Sequence, residues 1–294
     1  MNKRTLIAVG LIAATPVRAQ QPRLTVQPAQ PAPGAIVRLI LEPAFPATDS
    51  ILSIDGAMAG EPLHFRRSGN VWHALGAVPV DAVGSVAVLA VVTRGSGETD
   101  SVTSSVTLPK PKPSRGRARP RALAVAPRFT QPMDSATEAR IASENQRARA
   151  IGRQAHSIPA MWNAPFLRPR TATVTSRFGS GRMFNGTLTS RHLGVDFRGG
   201  VGAPVRAANR GIVALVDDFY LAGNVVYIDH GAGVVTGYFH LIKSLVAEGD
   251  TVARGQEIGL VGATGRVTGP HLHWTARYGA LTVNPLDLVS LGEF

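Results

Sequence analysis

The 294-residue chain contains no cysteine. That absence excludes disulfides, thiolate metal sites, a cysteine nucleophile and a lipid on an N-terminal cysteine. Any zinc site must therefore draw on His, Asp or Glu. Aromatic residues make up only 6% of the chain, with no stretch in which they interleave with basic residues as in a nucleic-acid-binding surface. Nucleic acid is accordingly not an expected partner. Past the N-terminus there is no apolar run near the ~20 residues that a membrane-spanning helix requires. Hydrophobic residues still reach 44%, which is ample for packed cores. The length fits about two domains at ~100–200 residues each.

Acidic side chains are also few, 19 against 31 Lys and Arg, and the formal charge is +12. Such a surplus attracts polyanions. The first residues read as an export leader: Lys3 and Arg4, then an apolar core from Leu6 to Ala14, then small residues at Val17 and Ala19 around Arg18. Cleavage is expected after Ala19, giving a signal peptide over 1–19 and no transmembrane segment afterwards. The expected location is periplasmic or extracellular, associated with the cell envelope, where anionic polymers or phospholipid headgroups are the natural partners of the positive charge.

Residues 22–109 read as a small immunoglobulin-like β-sandwich. Its candidate strands are Leu24–Val26, Ile36–Leu41, Ile51–Ile54, Leu63–Phe65, Val71–Ala74, Val86–Thr93 and Ser101–Leu108, separated by Pro, Gly, Asp and Ser. Trp72 is a candidate core aromatic, and His64 and His73 read as isolated surface or core histidines. Residues 110–160 read as a linker. Its start, Lys110 to Arg121, is basic and Pro-rich, extended, and a possible contact for an anionic envelope polymer. Ser135 and Glu138 fit a capping box that opens a mostly polar surface helix to about Gln154. His156 follows alone and reads as incidental. The segment from Met133 to Pro169 is placed to occlude a downstream groove.

Residues 161–294 are rich in glycine and short alternating strands, and predict a compact antiparallel β domain. Two of its segments carry chemistry. In Gly269-Pro270-His271-Leu272-His273-Trp274 the two imidazoles are two residues apart, so in a strand they share one face while Leu272 packs behind. In His192-Leu193-Gly194-Val195-Asp196 the even separation lets His192 and Asp196 share a face. Two His and one Asp would give zinc three ligands and leave a position for water. His240 adds a further imidazole, at an expected strand end. Spacing alone does not say which of His271 and His273 would bind metal.

These segments resemble the LytM/lysostaphin-type zinc metallopeptidases, peptidase family M23. The HxxxD motif matches His192 to Asp196, the HxH motif His271 to His273, and a T-x-Y-x-H-L segment Thr236, Tyr238, His240 and Leu241. Ser176-Arg177-Phe178-Gly179, Gly202-Ala203-Pro204-Val205 and Gly262-Ala263-Thr264-Gly265 match the flanks. The resemblance covers roughly residues 170–290. It implies an all-β protein with an antiparallel catalytic sheet and a groove, in which His192, Asp196 and His273 bind Zn²⁺ while His240 and His271 are catalytic. It does not apportion the two catalytic roles. No other cofactor is implied. The implied activity is endopeptidase cleavage of peptidoglycan cross-links or cross-bridges; the alternative is a weakly active or non-hydrolytic envelope binding or activator protein that keeps its metal. Val267 and Trp274-Thr275 depart from the family pattern and are expected to shape the groove. His230 is expected to hold a turn, and Arg177, Arg182 and Asn185 to contact substrate carboxylates or amides or to lie in a solvated loop.

Overall fold

The computed structural model describes residues 22–44, 50–110, 121–186 and 188–292. The leader and most of the basic linker lie outside them. Among the described residues eight strands come first: β1 (Arg23–Gln27), β2 (Ile36–Glu42), β3 (Ile51–Met58), β4 (Glu61–Pro62), β5 (Arg66–Ser68), β6 (Val71–Ala77), β7 (Ser85–Arg94) and β8 (Thr99–Thr107). They form two four-stranded antiparallel sheets ordered β1-β2-β6-β5 and β4-β3-β7-β8. That is the strand order of an immunoglobulin sandwich, with an added edge strand on the second sheet.

Period-two burial makes the sandwich core. Val37, Leu39 and Leu41 of β2 face Val86, Val88, Ala90 and Val92 of β7. A disulfide in such a fold contributes ~2–4 kcal/mol; two buried aliphatic side chains at ~1.5–3 kcal/mol each match it. Trp72 sits half-buried at the margin of this core. The predicted strand Leu63–Phe65 is instead the connection between β4 and β5, with Leu63 turned into the core.

A short strand, β9 (Arg121–Leu123), and helix α1 (Ser135–Gln154) lead into the second domain. The helix begins one residue earlier than the capping box suggests. Asp134 is the N-cap, and its carboxylate accepts from the Thr137 amide at 2.7 Å. Aspartate at that position also favours the positive helix terminus. The helix is not merely superficial: Glu144, Ala148 and Gly152 form a buried stripe at i, i+4, i+8. A glutamate and two small residues make this face, so the large apolar side chains do not reveal it.

Twelve strands follow among the described residues: β10 (Val174–Ser176), β11 (Gly181–Phe184), β12 (Leu188–Arg191), β13 (Val195–Arg198), β14 (Pro204–Arg206), β15 (Gly211–Phe219), β16 (Gly223–Gly231), β17 (Val234–Ser244), β18 (Thr251–Val252), β19 (Glu257–Val261), β20 (His271–Tyr278) and β21 (Leu281–Val283); a short helix α2 (Pro285–Ser290) ends the fold. The main sheet runs β10-β13-β20-β17-β16-β15-β18, with β14 and β19 attached beside β17. Strands β18 and β19 do not pair with each other; they pair with β15 and with β14 and β17 respectively. All described pairings are antiparallel except β9 with β11.

One face of the main sheet is a continuous core that includes Phe197, Tyr238, Leu241, Leu272, Trp274 and Tyr278. On the other face α1 covers one part, where Ala148 packs with Leu215, Phe219, Val225, Tyr227 and Val235. The rest of that face is left for the histidines.

The sandwich is joined to this body by apolar and polar contacts. Ile36, Leu75 and Ala77 belong to the core of the second domain. The Ile36 amide donates to Asp287 at 3.1 Å, and Arg38 donates to the Leu291 carbonyl. His156, expected to be incidental, is central to a second contact. It bonds the buried Glu61 at 2.9 Å and His64 at 2.8 Å, while Glu61 also accepts from the Ala280 amide at 3.0 Å. Tyr278 donates to the Pro62 carbonyl at 2.7 Å.

Candidate active site

Alternation along β20 puts His271 and His273 on the open face of the sheet, with Leu272 and Trp274 fully buried behind. In register, Asp196 of β13 lies opposite His273, and Arg198 opposite His271. Directly opposed residues of antiparallel strands share a face, so four functional groups form a square. His192 reaches it from the loop before β13.

Three atoms converge. His192 Nε2 lies 3.1 Å and His273 Nδ1 2.8 Å from Asp196 Oδ1, and the two nitrogens are 2.9 Å apart. Around a tetrahedral zinc, donors at ~2.0–2.1 Å from the ion sit roughly 3.3 Å from one another. Two imidazole nitrogens and one carboxylate oxygen are the right chemistry, and a few tenths of an ångström of opening would admit the ion. These side chains are the group among the described residues whose atoms could hold a metal.

The surrounding contacts fix which atoms face inward. His192 Nδ1 lies 3.0 Å from both the Arg177 carbonyl and Ser176 Oγ. Donation from Nδ1 to the carbonyl leaves Nε2 as a lone pair. Arg182 donates to Asp196 Oδ2 and, at 3.2 Å, to Ser176 Oγ. The guanidinium thus holds one carboxylate oxygen and leaves Oδ1 to the histidines. Burial alone would raise the Asp196 pKa, but hydrogen bonds and charge from His192 and His273 overcome it and hold the carboxyl well below the usual range. Burial pushes His273 down to about 4, against the opposing pull of Asp196. Both shifts favour the charge states that ligate a metal.

His240 enters by a different device. It lies within β17 rather than at its end, with φ of 63°. Register slips between β16 and β17 around it, so that Phe239 and His240 together stand opposite Val225. Such a bulge re-aims a side chain that plain alternation would place elsewhere. A non-glycine residue in the left-handed region is uncommon and strained. Its ring lies 4.9 Å from that of His271 and 5.8 Å from that of His273, centre to centre. Its Nδ1 is 2.8 Å from the Thr264 carbonyl, and His271 Nδ1 is 2.8 Å from the Gly269 carbonyl. Both rings therefore keep Nε2 as an acceptor; that of His271 is 3.6 Å from Asp196 Oδ1. Burial, reinforced by the neighbouring imidazoles, depresses the His240 pKa strongly and keeps it neutral.

A groove of about 270 Å³ opens beside Asp196 and His271, walled by Ser176, Arg182 and Phe184 on one side and Arg266 to Pro270 on the other. Val267 lines it as expected, whereas Trp274 is fully buried in the core and does not shape it. Asn185 is turned elsewhere. Its side chain bonds Val125 N and O at 2.9 and 3.0 Å and Thr130 at 2.9 Å. The upstream residue on the groove wall is Leu123 of β9, not the segment from Met133 onward. His230 has no part in the site: it is fully buried, tied to the Arg210 carbonyl and to Thr236, each at 2.8 Å, with Thr236 bonding Tyr238 at 2.9 Å. Sequence reasoning passed over Arg198, Arg266 and Gly194. The last packs against His273 so closely that a Cβ there would lie 2.6 Å from the ring.

Two histidines and an aspartate converging on the open face of an antiparallel sheet, with two more imidazoles across from them, define a metallopeptidase-type centre. The comparisons agree: residues 190–285 match the model for peptidase family M23. Residues 190–285 thus carry a peptidase M23 domain. The chain is 45% identical over 102 residues to the peptidoglycan DD-endopeptidase ShyA of Vibrio cholerae, covering 34% of this chain and 24% of the relative. With ShyB of the same organism it shares 49% identity over 129 residues, 43% of this chain and 30% of the relative. The chain thus spans less than a third of the length of these curated relatives. A Pseudomonas aeruginosa structure assigned to peptidase M23 superposes with a TM-score of 0.64 at 25% identity, covering 90% of this chain and 96% of that one.

Proposed function

We propose that this protein is an exported zinc-dependent endopeptidase that hydrolyses peptide cross-links or cross-bridges of peptidoglycan. The observation that carries the reading is the convergence of His192, Asp196 and His273, with His240 and His271 facing them, beside an open groove. The names of relatives such as ShyA and ShyB support the substrate class.

In this reading His192, Asp196 and His273 hold the zinc. When bound, zinc supplies a Lewis acid that activates water and polarises the scissile carbonyl. The protein's own groups do the rest. Arg182 holds the second oxygen of Asp196 and so orients the carboxylate. Carbonyl contacts fix His240 and His271 with Nε2 toward the reaction space. One of the two takes the proton of the attacking water; once protonated, such a ring is a donor to the developing oxyanion or to the leaving amine. The non-hydrolytic alternative has less support, because none of the five side chains is missing or turned away.

Export rests on the leader pattern of residues 1–19, and retention in the envelope on the basic stretch from Lys110 to Arg121. Among the described residues no helix is long and apolar enough to cross a membrane.

The test is release of peptides from purified sacculi by zinc-loaded residues 20–294, with masses of the products assigning the bond cut. His271→Ala and His240→Ala should each abolish release while zinc content and circular dichroism stay as in the parent protein. Undiminished release by either variant would refute the assigned role.

A further inference from the structure

The groove carries more positive charge than the chemistry so far requires. Arg182, Arg198 and Arg266 line it, against the single carboxylate of Asp196. Arg182 is committed to Asp196 and Ser176. Arg266 is not matched in this way: no ion pair among the described residues includes it. It is only partly exposed, and its guanidinium lies 4.2 Å over the ring of Phe184. That stacking holds the planar group in place while leaving its edge free for a bidentate acceptor. Burial and the charge of Arg182 both bear against its ionisation. A desolvated cation beside a second cation is costly unless an anion completes it. Arg198 is exposed and stands directly opposite His271 in the register of β13 and β20, on the same face.

We propose that Arg266 and Arg198 form a carboxylate subsite on the His271 side of the cleavage point, selecting peptides that bear a free carboxylate next to the scissile bond. The inference rests on the endopeptidase reading, in which the occupant of the groove is a peptide; the anion a peptide offers is a carboxylate. A charge-assisted, bidentate contact with Arg266 gives both affinity and orientation. It also places the scissile carbonyl relative to His271 and His240 from a point outside the metal ligands.

Two cross-linked peptide dimers test this, identical except that a carboxylate beside the scissile bond is free in one and amidated in the other. The zinc-loaded protein should cleave the free acid with a kcat/KM at least about tenfold higher, mostly through KM. Arg266→Gln should collapse that ratio toward one, Arg198→Gln should reduce it, and Arg266→Lys should keep part of it, which also guards against misfolding as the cause. Equal cleavage of both dimers by the parent protein overturns the subsite, as does a ratio unchanged in the Arg266→Gln, Arg198→Gln double variant. If the parent protein cleaves neither dimer, the endopeptidase reading fails, and the subsite is then judged by calorimetric binding of the two dimers. About tenfold tighter binding of the free acid supports it, and equal binding overturns it.

Discussion

Gly194→Ala is the sharpest perturbation the site offers, because it adds one methyl group and removes nothing. Gly194 lies between His192 and Asp196, beneath the ring of His273. A Cβ there would sit 2.6 Å from His273 Cε1, 2.7 Å from Nε2 and 2.7 Å from the Trp274 carbonyl oxygen. Ordinary contacts between carbon atoms fall at ~3.5–4.0 Å, so the ring would have to retreat by about 1 Å. The carbonyl belongs to β20 and has little room to yield. A metal site tolerates donor shifts of only about ±0.2 Å, so the displacement exceeds tolerance several-fold. Zinc affinity should fall by at least the ~10–100-fold typical of lost support around a ligand, with ~1–3 kcal/mol of destabilisation from overpacking. Gly200→Ala is the control, since a Cβ at Gly200 meets nothing within 4 Å. Competition for zinc against a chelating dye measures the affinities, and denaturant unfolding of the metal-free proteins measures stability. Equal zinc affinity in the two variants would show that His273 is not held at the metal by this packing, and would refute the proposed donor set.

Three further outcomes follow from other parts of the fold. Burial pushes His230 down to about 4, against the Arg210 carbonyl that favours its charged form; with ~6.5 for the unfolded ring, the stability from keeping it neutral is complete above pH ~6.5 and is lost as pH falls toward 4, by about 3 kcal/mol. Denaturant midpoints of metal-free parent protein and His230→Gln between pH 7 and pH 4 should therefore differ in slope, and parallel curves would contradict the burial argument. At Gly152 an added Cβ would collide with the Gly279 carbonyl; Gly152→Ala should unseat α1 at a cost of ~1–3 kcal/mol while leaving zinc affinity unchanged, so an unchanged midpoint would speak against the helix seat. Asn185 holds the segment around Val125 and Thr130 through three side-chain hydrogen bonds; in Asn185→Ala tryptic cleavage at Arg128 should be faster than in the parent protein, and an equal rate would mean the tether is redundant.

What the sequence makes legible here depends on how local the cause is. The HxH pair is readable because strand alternation is a local rule, and β20 obeys it. The sandwich is readable because turn residues and period-two runs mark its strands, though the Leu63–Phe65 segment buries its leucine without pairing. His240 is readable as chemistry but not as geometry, since the bulge that aims it is a register slip between β16 and β17. The position of Asp134 shows the limit of capping motifs when two candidates adjoin. His156 looks idle in the sequence because its partners, Glu61 and His64, lie more than ninety residues away. Arg266 is hidden for the same reason: a lone basic residue in a glycine-rich loop acquires meaning only when Phe184 and Arg182 are brought beside it.

The sandwich touches the second domain through β2, the β4 region and Arg66, which donates to the Trp162 carbonyl at 3.1 Å. Fastenings spread in this way leave no single pivot, so the two parts should tumble as one object. Whatever surface the sandwich rests on, the mouth of the groove then keeps a constant bearing and height relative to it. For the proposed cutting of a layered polymer, such a stand sets depth and angle, and reach is decided by the stand as much as by the blade.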